Sequence, residues 1–218
     1  MEDLKNILYK TVSQPGSAET EVLRSKFIAN VAPVDSREEA EAFVKAIKEK
    51  YKDATHNVGT FVVGTKQEVQ WTSDDGEPQG TSGPPILKMV TAMGLTNLVI
   101  VVTRYFGGTK LGTGGLVRAY SGAAKAALDA VGIVGATMMW KAPVEMEYGA
   151  YNKLTAANML EGIDASISSV EYSGAVTFNL TVSEEHKNKA ITIINNLTSG
   201  GGDSLSFKEE LAFVNLEV

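Results

Sequence analysis

The stretch "VTRYFGGTKLGTGGLVRAY", residues 102–120, places five glycines within the nine positions from Gly107 to Gly115, between an apolar run and an alanine-rich segment. The apolar run, "TNLVIVVTRYF", is long enough to cross the centre of a sheet. The segment after the glycines, "LVRAYSGAAKAALDAVG", has helical spacing, and Gly132 is placed to end it. A strand that feeds a loop of small residues and then a helix N-terminus presents free N–H groups and partial positive charge, which favour an anion. Gly107, Gly108, Gly112, Gly114 and Gly115 would let the backbone approach such a ligand closely. The named phosphate motifs nevertheless fail here. Thr113 follows Gly112 where a P-loop needs lysine, and Val117 stands where the dinucleotide fingerprint needs its third glycine.

A second loop upstream has the same plan. The strand-like "EVQWTS" runs into "DDGEPQGTSGPP", and Pro84 and Pro85 suit the first turn of a helix through "ILKMVTAMGL". Gly80, Thr81, Ser82 and Gly83 therefore mark another helix N-terminus. Asp74, Asp75 and Glu77 lie close enough to suggest a hard cation, but a turn with Gly76 in the strained position accounts for the same residues, and we adopt it. His56, in "ATHN", offers a general base, and Ser82 with Asp75 completes a triad only on paper, because nothing in the spacing demands it. Tyr105 and Phe106 have the chemistry to stack on a base, yet aromatics ending a buried strand are expected in the core.

Composition narrows the classes. The chain has 218 residues, 44% of them apolar, enough for a substantial core divided between two modest domains. Zero cysteines exclude disulfides and thiolate chemistry, and two histidines argue against a histidine-rich zinc site. No membrane-length apolar run is present and "MEDLKNILYK" resembles no leader, so a cytoplasmic address is expected. Residues 1–138 carry fifteen basic against fifteen acidic residues, whereas residues 139–218 carry five against eleven. Between Glu77 and Asp129 there is no acid, only Lys88, Arg104, Lys110, Arg118 and Lys125. The glycine stretch thus lies in a basic window.

The rest of the chain reads as α+β. "SKFIANVAPV" predicts a strand, and "DSREEAEAFVKAIKEKY" a helix with Ser36 and Glu39 as a capping box. Two strands follow, around "NVGTFVVG" and "EVQWTS". A domain boundary is expected near residues 135–142, from the end of the alanine-rich helix, Pro143 and the change in charge. Beyond it the pattern predicts a strand through Val144 and Met146 and a helix from Tyr151 to Leu160. Two strands come next, the first with a bulge at Ser168 and Ser169, then a helix capped by Ser183 and a closing strand "LAFVNLEV". The order βαββαβ is the ferredoxin-like plan.

"ATHN" at 54–57, "SDDGEPQGTSGPPIL" at 73–87 and "RYFGGTKLGTGGLVRAY" at 104–120, in that order, resemble the IMPACT/YigZ family in its bacterial two-domain form. The resemblance implies an N-terminal domain (1–137) with the fold of the second domain of a ribosomal small-subunit protein, also seen in domain IV of elongation factor G. It implies a C-terminal ferredoxin-like domain (142–218) similar to domain V of that factor. It also implies a role near translation, since eukaryotic relatives regulate translation under amino-acid stress by competing for the activator of an initiation-factor kinase.

The expected working surface is the pair of glycine loops and their neighbours. It comprises His56, Asn57, Asp75, Gly76, Glu77, Gly80, Thr81, Ser82, Gly83, Arg104, Tyr105, Phe106, Gly107, Gly108, Lys110, Gly112, Thr113, Gly114, Gly115 and Arg118. The expected ligand is RNA or a translation-associated protein, with a phosphate-type anion at the helix N-termini and no cofactor, metal or membrane. The absence of a complete catalytic motif argues for a non-enzymatic protein. An enzyme acting on a small phosphorylated substrate at the same surface is the alternative.

Overall fold

The computed structural model describes residues 6–216. In chain order the strands and helices are β1 (Tyr9–Thr11), β2 (Gly16–Val22), β3 (Ser25–Pro33), α1 (Arg37–Lys50), β4 (His56–Val63), β5 (Val69–Thr72), α2 (Gly83–Ala92), β6 (Leu98–Tyr105), α3 (Gly112–Val131), β7 (Val134–Met146), α4 (Tyr148–Ala156), β8 (Ala165–Tyr172), β9 (Val176–Val182), α5 (Lys187–Thr198) and β10 (Lys208–Asn215). The chain divides into two compact units. The first holds the described residues up to Ala136 with those from Phe213 on, and the second is Thr137–Ala212.

In the first unit an antiparallel sheet runs in the order β2-β3-β6-β4-β5. Its central strand β6 is buried along nearly its whole length. Leu98, Ile100 and Val102 face a core built with Leu116, Tyr120, Ala123, Ala127 and Leu128 of α3 and Ile86 and Val90 of α2. Val99 and Val101 face the other way, onto Ala40, Val44 and Ile47 of α1. Helices on both faces explain why this strand reads as an unbroken apolar run rather than an alternating one.

The local signals of α1 act as their chemistry predicts, with one shift. Ser36 Oγ accepts from the Glu39 N–H at 3.2 Å, but Glu39 Oε2 accepts from the N–H of Asp35 at 2.8 Å, one residue before the cap. Gly132 ends α3 at φ 78°, with its N–H donating to the Leu128 carbonyl.

Two strands escape the sequence reading. In β2, "GSAETEV", the half-buried positions are Gly16, Ala18, Thr20 and Val22, too small or polar for a strand signal. As an edge strand under α3 it has little apolar surface to bury. Three-residue β1 pairs antiparallel with the start of β7, from Tyr9 opposite Ala136 to Thr11 opposite Val134.

In the second unit β9 lies between β8 and β7, and β10 pairs with β7. Val144, Met146, Phe178 and Leu180 pack with Leu154 of α4 and Ala190 and Ile194 of α5. The register slips between Ser168 and Glu171, with Ser169 at φ 53°, where the phase change predicts a bulge. The division between the two units, at Ala136 and Thr137, falls within the single strand β7. Two expectations need correction. Helix α4 covers Tyr148–Ala156 rather than reaching Leu160. The Ser183 hydroxyl pairs with His186 Nδ1 at 3.1 Å instead of capping backbone, and a short 3-10 turn precedes α5.

Candidate functional site

The two glycine segments meet chemistry of different kinds. In the upstream loop the Glu77 N–H donates to the Asp74 carbonyl at 3.0 Å, with Asp75 at φ 47° and Gly76 at φ 87°. Two successive positive φ values make this a type I′ turn, and Gly76 takes its position without steric cost. The turn aims three carboxylates at three sets of donors. Asp75 Oδ2 accepts from the Asn57 N–H at 2.6 Å and Oδ1 pairs with Lys48 Nζ at 2.5 Å. The Asp75 carbonyl accepts from His56 Nδ1 at 2.8 Å, which fixes the proton on that nitrogen.

Asp74 reaches the start of α2. Its Oδ1 accepts from the Ser82 N–H (3.1 Å), the Ser82 hydroxyl (2.7 Å) and the Gly83 N–H (3.0 Å), while Oδ2 accepts from the Gly80 N–H (2.7 Å). Burial pushes this carboxyl up, but the bonds from Gly80, Ser82 and Gly83 outweigh it and hold the group below the ordinary aspartate value. The expected anion site at Ser82–Pro84 is therefore corrected: the anion there is the chain's own Asp74. Thr81, also expected at this site, is buried and donates its hydroxyl to the Pro78 carbonyl at 2.6 Å.

Glu77 turns into the protein. Its Oε1 accepts from Arg104 Nη1 at 2.7 Å and from the Tyr120 hydroxyl at 2.6 Å, with His56 Nε2 3.8 Å away. Arg104 is only 5% exposed. Its Nη2 donates to Ser25 Oγ at 3.3 Å, and its guanidinium lies over the rings of Phe27 and Phe106. Burial first, and then the bond to Glu77, push the Tyr120 hydroxyl far above the ordinary phenol value, so it remains a donor. Arg104 is thus no exposed phosphate contact. Asn57 is likewise structural, donating Nδ2–H to the Tyr51 carbonyl and accepting the Thr103 hydroxyl.

The downstream glycines stay on the surface. Gly107 is the exception, because a Cβ there would lie 2.0 Å from the Arg24 carbonyl, and its N–H donates to Ser25 Oγ at 3.2 Å. Tyr105 donates its hydroxyl to Asp53 at 3.0 Å, and the Phe106 N–H donates to Thr55 Oγ1 at 3.1 Å. Beyond that anchor, Gly108, Lys110, Gly112, Thr113, Gly114 and Arg118 are exposed and Gly115 is half-buried. A Cβ at Gly108 or Gly112 would meet nothing within 4 Å, and one at Gly114 would meet only Arg118 Nη1 at 3.7 Å. The structure therefore joins His56, Glu77, Arg104 and Gly107 in one cluster and leaves the residues from Gly108 to Arg118 as an open ridge.

The comparisons with known proteins bear on this arrangement. The family described as the Impact N-terminal domain matches residues 23–128. A Bacillus subtilis protein, IMPACT family member YvyE, is 35% identical over 195 residues, covering 89% of each chain. This chain belongs to the IMPACT family. The Escherichia coli family member YigZ is 34% identical across 77% of this chain and 82% of its own. A solved structure of a hypothetical protein overlays with TM-score 0.57 at 29% identity, covering 96% of this chain and 97% of the other. The stretch matched to the Impact domain spans every member of the cluster, from Ser25 to Tyr120.

Sequence reasoning assigned no role to Ser25, Lys48 or Tyr120 in this family member. For Tyr120 a signal existed: it shares a helical stripe with Leu116, Ala123 and Ala127, which fixes its ring inward. Ser25 and Lys48 carry no such mark, since their partners lie far along the chain.

Proposed function

We propose that this IMPACT family member is a binding protein acting in translation or its regulation, and that it binds RNA along the ridge from Phe106 to Arg118. The observation that carries this reading is an accessible backbone with two exposed basic residues, Lys110 and Arg118, in a stretch without acids from Pro78 to Leu128. The phosphate backbone supplies most of the affinity in such complexes, so basic surface next to open backbone suits RNA.

A binding role is favoured over catalysis because the groups able to carry chemistry are engaged with one another. Glu77 accepts from Arg104 and Tyr120, Asp74 accepts from the start of α2, and Asp75 holds Lys48 and Asn57. We further take residues 1–137 and 142–218 as two domains, the first with the ribosomal-protein and elongation-factor domain IV fold and the second ferredoxin-like. The strand order β10-β7-β9-β8 with two helices on one face supports the second assignment. The other face of that sheet offers Ser166, Ser168, Thr177, Asn179 and Thr181 rather than stacking aromatics. The second unit is also acidic and would repel a phosphate backbone, which supports the first unit as the RNA-binding one. Among the described residues no helix is long and apolar enough to cross a membrane, and we propose a cytoplasmic location.

The test is affinity for a mixed RNA pool from roughly 50 to 200 mM salt. Affinity should fall steeply with salt, and Lys110→Gln with Arg118→Gln should flatten the log–log slope by about 1.4, at about 0.7 per single-strand phosphate contact. A flat response in the unsubstituted protein would replace RNA with a protein ligand.

A further inference from the structure

Phe106 is 47% exposed, although it directly follows a buried strand. An aromatic side chain left in water at the mouth of a basic ridge needs a reason, and its surroundings hold it there. The Phe106 N–H is tied to Thr55 Oγ1, and the next residue, Gly107, is pressed against the Arg24 and Ser25 backbone. The Arg104 guanidinium, fixed by Glu77, lies 5.4 Å from the Phe106 ring centroid. The ring is thus backed on one side by a buried cation, and its backbone is anchored from two directions. Acidic groups nearby are engaged: Asp53 accepts from Tyr105, and Glu77 from Arg104 and Tyr120.

We infer that Phe106 is a stacking platform for one unpaired base of single-stranded RNA, with Lys110 and Arg118 taking the adjoining phosphates. The inference rests on the RNA reading above and adds to it the strand state of the ligand and the residue that recognises it. A base offers a flat apolar face to an exposed ring and its phosphate offers negative charge to the basic side chains, a pairing of demands that the ridge matches in both parts. Duplex RNA has no free base face to offer, because each base is already stacked on its neighbours.

The experiment is fluorescence anisotropy with a short labelled single-stranded RNA of mixed sequence and the same sequence as a duplex, using the full chain at low salt. Phe106→Ala should weaken single-strand binding roughly 5- to 150-fold, the range for loss of one stacked base, and leave duplex binding unchanged. Phe106→Leu, which keeps apolar bulk but has no aromatic face, should behave like Phe106→Ala, and Phe106→Trp should retain binding. Thermal melting of each variant establishes that the fold is kept. Tight RNA binding that is indifferent to Phe106→Ala and Phe106→Leu would overturn the platform while leaving the RNA reading intact. No RNA binding by the unsubstituted protein would overturn both.

Discussion

Replacing Glu77 with Ala should destabilise the first unit by about 3–5 kcal/mol, the range for removing one partner of a buried ion pair. The carboxylate is 8% exposed and accepts two short hydrogen bonds, from Arg104 and Tyr120. Its loss would strand the Arg104 guanidinium, 5% exposed, beside a fully buried tyrosine hydroxyl with no acceptor. Arg104 Nε already lacks a partner, so the guanidinium has little else to turn to. The effect would spread, because Tyr120 meets Phe27 edge-on at 5.2 Å and Phe27 lies under Arg104. Urea denaturation of Glu77→Ala, Arg104→Met and the double variant measures this. The double variant should recover part of the loss, since removing both charges ends the desolvation penalty. A loss below about 1 kcal/mol for Glu77→Ala would mean that the pair is not what holds the loop to the core.

The second large effect is expected at Gly107. A methyl group there would sit 2.0 Å from both the carbonyl carbon and oxygen of Arg24 and 2.4 Å from the Ser25 nitrogen. These are backbone atoms of the β2–β3 turn, so a side-chain rotation cannot relieve the clash. Either the loop or the turn must move, breaking the Gly107 N–H bond to Ser25 Oγ. Overpacking of this kind costs about 1–3 kcal/mol. Because the displaced segment carries Phe106 and leads into α3, Gly107→Ala should also weaken RNA binding, whereas Gly114→Ala, whose Cβ would meet only Arg118 Nη1 at 3.7 Å, should leave the turn in place. Parallel melting and binding measurements on the two variants decide this. Equal stability for Gly107→Ala and the unsubstituted chain would show that the loop is not seated on the turn.

Much of the fold is written in local patterns. The apolar run of β6 fits a strand covered on both faces, and Ser36, Glu39, Pro84 and Gly132 mark helix ends because capping acts within one turn. The site is less legible because its bonds are long in sequence. Asp74 caps N–H groups six to nine residues onward, so a helix start with no acid of its own reads as a vacant anion site. Arg104 looks like surface charge in a basic window, but its partner lies 27 residues earlier, on a turn that only the folded sheet brings alongside. Phe106 carries two expectations, a core position as an aromatic ending a buried strand and a place on the working surface. It is exposed because Gly107 packs against Arg24 just past the strand and leaves the ring no layer to enter.

The central claim is that the open ridge, and not the buried cluster beneath it, is the surface that meets RNA. Amide chemical-shift mapping of the full chain during titration with single-stranded RNA tests it most directly. The account predicts the largest shifts from Phe106 to Arg118, with the Asp74-bound N–H groups of Gly80, Ser82 and Gly83 nearly unmoved. Binding that shifts chiefly the start of α2, or the open sheet face of the second unit, and leaves the ridge unchanged would contradict it.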